Sequence, residues 1–283
     1  MPNRKVAVVT DALSPDFFFP LWYNYYGAQF GEKNLHVVTI SGKAHDFGKF
    51  KLGSVTEISS AYDDNDRLRA ITALVARLLA DNRFVIRVDC DEFLVAEPEI
   101  YRDLRGYIDR LEQPYVTSRG FEVFQHDEEP ALDVNEKILV RQRKYAMAAT
   151  AMNKTSITSE PLRWNRGFHH CDRLPVFDGV FLFHLKRADL QWQLDWNKVV
   201  ATKIIADDFI RSYYETPEQQ LRQYHKSWSL KPTDSGEKVM YRESFNEAFR
   251  TSIIYNERSQ TFDSKHTMEA VNVLIPNKFE GLL

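Results

Sequence analysis

Apolar and polar positions follow two different periods along the first third of the chain. Some runs are short, apolar and rich in β-branched residues, as buried strands are. Others repeat their apolar residues at helical spacing. The pattern predicts strands at 5–10, 35–40, 55–58 and 84–88, and helices at 15–26 and 63–79. Strands that alternate with helices indicate an α/β fold, with a mostly parallel sheet and right-handed crossovers.

The pattern is less regular after residue 95. It predicts a helix at 98–111, strands at 115–124, 138–141 and 180–185, and helices at 190–205 and 217–228. Gly120 lies inside a predicted strand and indicates a bulge or a close backbone approach. Residues 150–178 are predicted to be irregular. We expect one domain at 1–190 and a helical C-terminal extension at 191–283 that packs on it.

The composition argues against several classes of protein. The 283 residues are 43% hydrophobic and carry a net charge of −3, which argues against a nucleic-acid partner. No apolar run approaches the ~20 residues that span a bilayer. The two cysteines have no metal-binding spacing, which excludes a zinc ribbon. Low cysteine use and the lack of a signal peptide predict a cytoplasmic protein.

The strongest chemical signal follows the fourth predicted strand. Asp89 and Asp91 come directly after the apolar run at 84–88. Ligands of open α/β sheets bind beyond the carboxyl ends of the strands. Two carboxylates separated by one residue can share a divalent cation that also binds phosphate. The alternative is a solvated turn, but the apolar strand before the pair favours a metal–phosphate role.

Three further features could carry chemistry. His184 and Lys186 alternate along a predicted strand and therefore point the same way, as a metal ligand and a phosphate partner or as a strand-end histidine beside a surface lysine. The segment at 163–170 contains Trp164, whose ring could stack on a sugar or base, together with Gly167 and His169; it could equally be a basic loop packed under its own aromatic residues. Lys154 is a phosphate candidate or a solvated lysine.

These residues together resemble a known family. The segment at 88–94 resembles the Asp-x-Asp-Glu-Phe-Leu signature of bacterial family-2-like glycosyltransferases with the GT-A fold. Features at 101–104, 164–169 and 183–186 follow in the same order as in that family. The similarity covers residues 4–190 and is closest to the majastridin-like group.

The resemblance implies a GT-A, Rossmann-like domain that binds a nucleotide diphosphate sugar, with a UDP-sugar as the favoured donor. Asp89, Asp91 and His184 would hold Mn²⁺ or Mg²⁺, and Thr10 and Asp11 would contact the nucleoside. Two departures weaken the nucleoside contacts. Asp11-Ala12 replaces the family's Asn-Glu pair, and Ser41-Gly42-Lys43 stands where an Asp usually follows the second strand.

The expected reaction transfers a sugar to the hydroxyl of an unidentified glycan or small-molecule acceptor. A cation and a nearby lysine would stabilise charge on the departing diphosphate. The catalytic candidates are Asp91 and Glu122; Glu122 is the candidate general base of an inverting enzyme, with Asp127 and Asp178 as alternatives. A retaining mechanism is also open.

Three alternatives compete with a glycosyltransferase. A phosphatase of the haloacid-dehalogenase type requires Thr or Val where Phe93 stands. A nucleotidyltransferase requires a glycine-rich basic loop after the first strand, and 11–15 is not one. The serious alternative is a non-catalytic nucleotide- or sugar-binding protein on the same fold.

Overall fold

The structure is a computed structural model that describes residues 4–59, 63–148, 150–201, 208–228, 234–240, 243–264 and 271–283. The first third of the chain forms a parallel sheet. The strands are β1 (Val6–Asp11), β2 (Leu35–Ile40), β3 (Ser54–Ile58) and β4 (Phe84–Arg87), and the helices are α1 (Phe18–Phe30) and α2 (Asp64–Leu78). The strand order is β3-β2-β1-β4, and all three pairings are parallel. This arrangement confirms the predicted Rossmann-like α/β fold.

The same sheet continues with strands of both directions. The next elements are β5 (Glu92–Ala96), α3 (Leu104–Ile108), β6 (Tyr115–Phe124), β7 (Tyr145–Ala148), β8 (Lys154–Thr158) and β9 (Val180–Arg187). β8 lies antiparallel between β4 and β6, so β4 and β6 run in the same direction. β9 pairs in parallel with β6 and antiparallel with β5.

The sheet separates two apolar layers because side chains of a strand alternate between its faces. Val8 and Ile86 face the layer that contains the aromatic side chains of α1. Val9 and Val85 face the opposite layer, which α2 covers through Ile71 and its neighbours. Helices therefore pack on both faces, as predicted.

The C-terminal region contains helices and strands. Its elements are α4 (Leu190–Ala201), α5 (Asp208–Tyr214), α6 (Glu218–Trp228), β10 (Asp234–Ser235), α7 (Gly236–Met240), α8 (Glu243–Ser252), β11 (Ile253–Asn256), β12 (Thr261–Ser264) and β13 (Val271–Leu274). β13 pairs with β7 and extends the main sheet, whereas β11 and β12 form a separate hairpin. The region is thus a helical extension that also contributes an edge to the sheet. The boundary at residue 190 stays a prediction.

Several predicted elements were wrong. The strand expected at 138–141 is a turn, in which the N–H groups of Gln142 and Arg143 donate to the carbonyl of Ile138. The helix expected at 98–111 is reduced to α3, because Asp103 caps it by accepting from the N–H of Gly106. β8 lies within the stretch predicted to be irregular, and β5 was not predicted. The end of the helix expected at 190–205 lies outside the described residues.

Gly120 confirms the predicted close approach. A Cβ at this position would lie 2.3 Å from the backbone of Met152. The N–H of Gly120 donates to Asn153 Oδ1 at 2.8 Å. A side chain here would therefore push away the segment that leads into β8. Among the described residues, no helix is both long enough and apolar enough to cross a membrane.

Candidate functional site

A cavity of about 420 Å³ opens where the strands of common direction end. Asp11 ends β1, Asp89 and Asp91 follow β4, and His184 lies near the end of β9. β8 runs the other way, so its first residue, Lys154, reaches the same edge. The sheet therefore gathers side chains from distant segments into one site, at the position where α/β sheets bind ligands.

Acidic side chains outnumber the Lys and Arg side chains in the wall of the cavity. The acidic residues are Asp11, Asp16, Asp64, Asp89, Asp91 and Glu122, and the Lys and Arg residues are Arg67, Lys154, Lys186 and Arg187. These carboxylates would favour an anionic ligand that binds together with a cation.

The first aspartate belongs to a buried ion-pair network, which we call the Asp89 cluster; it consists of Asp11, Arg67, Arg87, Asp89, Glu92 and Lys154. Arg87 Nη2 lies 2.5 Å from Asp89 Oδ1 and 3.1 Å from Asp11 Oδ1. Arg67 Nη1 donates to Asp11 Oδ2 at 3.0 Å. Lys154 Nζ lies 2.8 Å from Asp89 Oδ2 and 2.5 Å from Glu92 Oε1. Both oxygens of Asp89 therefore already have cationic partners.

The second aspartate belongs to a smaller network, the Asp91 cluster, which consists of Asp91, Glu122, His184 and Arg187. His184 Nδ1 lies 3.0 Å from Glu122 Oε2, and His184 Nε2 lies 3.3 Å from Asp91 Oδ2. Arg187 Nε approaches Glu122 Oε2 at 3.8 Å. The imidazole thus stands between a buried carboxylate behind it and a cavity-facing carboxylate in front.

The two clusters shift pKa values in different ways. Burial alone would raise the pKa of Asp89, but Arg87, Lys154 and Arg67 hold it well below its usual value. Burial alone would lower the pKa of His184, but Glu122 and Asp91 raise it well above its usual value. The two carboxylates therefore favour the protonated form of His184.

The Asp91 cluster has features of a metal site. A histidine that binds a metal through one ring nitrogen commonly donates its other N–H to a carboxylate, as Glu122 allows here. Asp91 Oδ2 and His184 Nε2 are close enough to bind one cation together once Nε2 loses its proton. Asp89 fits less well, because Arg87 and Lys154 occupy its oxygens.

No group of three or more His, Cys, Asp or Glu side chains within the described residues is arranged to hold a metal. A cation held by Asp91 and His184 would therefore take its remaining ligands from water or phosphate, as Mg²⁺ commonly does. The two side chains fit a shared metal–substrate site better than a site built only from protein.

The structure brings most of the predicted site residues to the cavity. Those that line it are Asp11, Asp89, Asp91, Glu122, Lys154, Gly167, His169, His184 and Lys186. Lys186 Nζ also lies 4.9 Å from the centroid of the Tyr214 ring, which reaches the cavity from α5. The roles given to these residues stay predictions.

Two predicted residues do not line the cavity. Thr10 is fully buried in β1 and is not part of the cavity wall. Trp164 is only 3% exposed, and its ring N–H donates to the carbonyl of Thr155 at 3.2 Å. Trp164 is thus a core residue, in agreement with the alternative of a loop packed under its own aromatic side chains. Asp127 and Asp178 are also outside the cavity wall.

The segment at 163–170 contacts the Asp89 cluster through Phe168. Gly167 and Phe168 both have positive φ angles, 74° and 60°. This backbone places the Phe168 ring 3.5 Å from the guanidinium carbon of Arg87, a close cation–π contact. A Cβ at Gly167 would lie 3.0 Å from the ring of His169, so the turn favours glycine.

Sequence reasoning missed the arginines of the site and the partners of Glu92. Arg87 gave a signal, because it is a charged residue in an otherwise apolar strand two positions before Asp89. Arg67 lies on α2 four residues after the helix-capping Asp63, and nothing in its local pattern separates it from a surface residue.

Comparisons with known proteins do not add an assignment. No protein-family model matches the chain, and no curated protein matches it. One similar solved structure is the inositol-1-phosphate CTP transferase from T. maritima, with 10% identity and a TM-score of 0.28 over 65% of this chain and 72% of that one. Another is CMP:2-keto-3-deoxy-manno-octonic acid synthetase complexed with CTP, with 13% identity and a TM-score of 0.27 over 85% and 86%. Similarity this distant carries no functional conclusion, and the fold description rests on the strand order above.

Proposed function

We propose that this protein is a metal-dependent glycosyltransferase that moves a sugar from a nucleotide diphosphate sugar, with a UDP-sugar as the favoured donor, to an acceptor hydroxyl. The observation that carries the proposal is the meeting of Asp89, Asp91 and His184 at one cavity beyond the strand ends. The carboxylates in the wall support it, since a diphosphate would bind there with a divalent cation.

Asp91 and His184 are the residues that would hold Mn²⁺ or Mg²⁺. Bound there, the cation would supply positive charge to the diphosphate as it leaves the sugar. Lys186 and Arg187 also line the cavity and would add fixed positive charge. Asp11 remains the candidate for the nucleoside, and it is held in place by Arg67 and Arg87.

Glu122 is the first candidate for the general base, but its surroundings favour a second role. Its carboxylate is 4% exposed and lies against His184 and Arg187. A carboxylate in this position orients the imidazole and favours Nε2 as the nitrogen that faces Asp91. We propose this orienting role for Glu122. Its role as the base stays a prediction.

A thermal-shift assay with Mn²⁺, UDP or both tests the proposal. We expect the two ligands together to raise the melting temperature more than the sum of their separate shifts, and Asp91→Ala to remove this gain. Asp109→Asn is the control, because Asp109 pairs with Arg105 away from the cavity. No shift with any nucleoside diphosphate would contradict both the transferase and the nucleotide-binding alternative.

A second measurement separates the enzyme from a non-catalytic nucleotide- or sugar-binding protein. Many transferases slowly hydrolyse the donor when the acceptor is missing, so we expect slow release of UDP from a UDP-sugar with Mn²⁺ present. Asp91→Ala should abolish the release. Binding without release, across a panel of nucleotide sugars, would favour the binding protein.

A further inference from the structure

The third carboxylate of the Asp89–Glu92 segment has no role in the proposed function, yet it is the most buried of the three. Glu92 is 0% exposed and begins β5. A buried carboxylate is costly unless it is paired and hydrogen-bonded, so its partners indicate what it does.

Glu92 closes the turn that carries both aspartates. Its N–H donates to the carbonyl of Asp89 at 3.0 Å, and its Oε2 accepts from the N–H of Asp89 at 2.9 Å. The two bonds run in opposite directions between the same two residues. They hold the four-residue turn at both ends, and Asp91 lies inside it.

The other oxygen of Glu92 holds the cation that binds Asp89. Lys154 Nζ lies 2.5 Å from Glu92 Oε1 and 2.8 Å from Asp89 Oδ2. Lys154 is itself only 4% exposed, so its ammonium group is committed to these two carboxylates. Glu92 is thus linked to Asp89 in three ways, by the two hydrogen bonds across the turn and through Lys154.

Glu92 is also placed next to the Asp91 cluster. It is the direct cross-strand partner of His184 in the pairing of β5 with β9, and His184 is in turn the partner of Glu122 in the pairing of β9 with β6. Glu92 is therefore adjacent to both proposed metal ligands, to Asp91 along the chain and to His184 across the strands.

We infer that Glu92 is a positioning residue, which acts through Lys154 to hold the Asp89–Asp91 turn in the geometry that presents Asp91 and His184 to a divalent cation. The inference rests on the proposed function and extends it. It assigns Lys154 to the turn rather than to direct contact with the diphosphate.

The test measures how much Mn²⁺ tightens the binding of UDP, by calorimetric titration with and without the metal. In the unaltered protein we expect Mn²⁺ to tighten UDP binding about tenfold or more. Glu92→Gln should reduce this enhancement about fivefold, because the turn loses its ion pair while Gln still offers an acceptor to the Asp89 N–H. Binding of UDP without metal should not weaken, since the substitution removes a negative charge.

Glu97→Gln is the matched control. Glu97 is also a buried carboxylate, 4% exposed, that pairs with one lysine, Lys278 at 3.1 Å, and accepts a backbone N–H, that of Glu99. It does not line the cavity. We expect the enhancement of UDP binding by Mn²⁺ in Glu97→Gln to stay within about twofold of that in the unaltered protein, since distant sites act independently. This should hold even if Glu97→Gln lowers the melting temperature as much as Glu92→Gln does.

The link through Lys154 is tested with Lys154→Met alone and combined with Glu92→Gln. Lys154→Met should reduce the enhancement by itself, and adding Glu92→Gln should change it by less than about twofold. Should Glu92→Gln fail to fold, Lys154→Met decides the question. An unchanged enhancement in Lys154→Met, or a weaker affinity for UDP without metal, would overturn the inference.

The remaining outcomes separate this inference from the function beneath it. If the unaltered protein binds Mn²⁺ and UDP together and Glu92→Gln retains the full enhancement, only the positioning role falls. An equal loss in Glu97→Gln would also overturn it, because it would indicate general loosening. If the unaltered protein binds no UDP under any condition, the proposed function falls and the inference falls with it.

Discussion

Asp89 and Asp91 are two residues apart and chemically identical, but their surroundings differ in kind. Asp89 is enclosed by fixed cations from β4 and β8, with Arg67 of α2 at 3.8 Å. Asp91 has its closest charged partner in the imidazole of His184, although both aspartates line the cavity. The Asp89 cluster therefore has the character of a structural network, and the Asp91 cluster that of a binding site. Spacing in a motif does not by itself give two carboxylates the same function.

The largest effect should come from removing the central cation of the Asp89 cluster. Arg87 is 2% exposed and contacts both Asp11 and Asp89, so Arg87→Met leaves two partly buried carboxylates with fewer partners. We expect the free energy of unfolding to fall by about 3–5 kcal/mol, measured by urea denaturation. Arg222→Met, which breaks the exposed pair with Glu218 on α6, should cost less than about 0.5 kcal/mol. A similar small cost at Arg87 would show that the network is not structural.

Replacing each aspartate by Asn should affect stability and binding differently at the two positions. Asp89→Asn should lower the free energy of unfolding by about 2–4 kcal/mol, because it breaks a buried network. Asp91→Asn should lower it by about 1 kcal/mol, since a single hydrogen-bonded partner changes. For UDP binding the two substitutions should rank the other way. Asp91→Asn should remove the contribution of Mn²⁺ to UDP binding, and Asp89→Asn should have the smaller effect on it. Equal effects on stability would contradict the distinction between the clusters.

The two histidines of the site should respond to pH in opposite ways, and His169 gives the cleaner test. Burial, together with Lys154, lowers the pKa of His169 to about 3. The unfolded chain accepts a proton near pH 6.5 and the folded chain does not, so stability is complete above that pH and falls as the pH decreases towards 3. This histidine should account for about 1–2 kcal/mol of stability lost between pH 6.5 and 5.

Urea denaturation of the unaltered protein and of His169→Gln, at several pH values, measures that share. The variant should show a shallower loss of stability, and His36, whose pKa is lowered to about 4, supplies part of what remains. An identical pH dependence in both proteins would show that His169 is protonated in the folded state.

The smallest effect on binding should come from Trp164. Its burial and its bond to Thr155 predict that Trp164→Phe lowers the free energy of unfolding by about 1–2 kcal/mol. The affinity for UDP and Mn²⁺ should change by less than about twofold, because the ring does not reach the cavity. A large loss of affinity with unchanged stability would restore the stacking role that its place in the sequence suggests.

Much of the parallel part of the fold, β1 to β4, could be predicted because its strands and helices are contiguous segments of the chain. The runs at 5–10, 35–40 and 84–88 each carry their own period, and α1 and α2 lie in the connections between them. The central position of β8 could not be predicted in this way. Its sequence, Lys154–Thr158, is short and polar, and it becomes a strand only because β4 and β6 offer their edges to it.

The sequence by itself determined that an acidic pair would follow a buried strand at the ligand-binding edge of an α/β sheet, because local hydrophobic period and strand direction are enough for that step. Only the tertiary structure decided which aspartate meets which partner. Lys154 is 65 residues from Asp89 and Arg87 is two residues away, yet both donate to the same carboxylate. Ion-pair partners are set by distances in space, and local patterns contain no information about those distances.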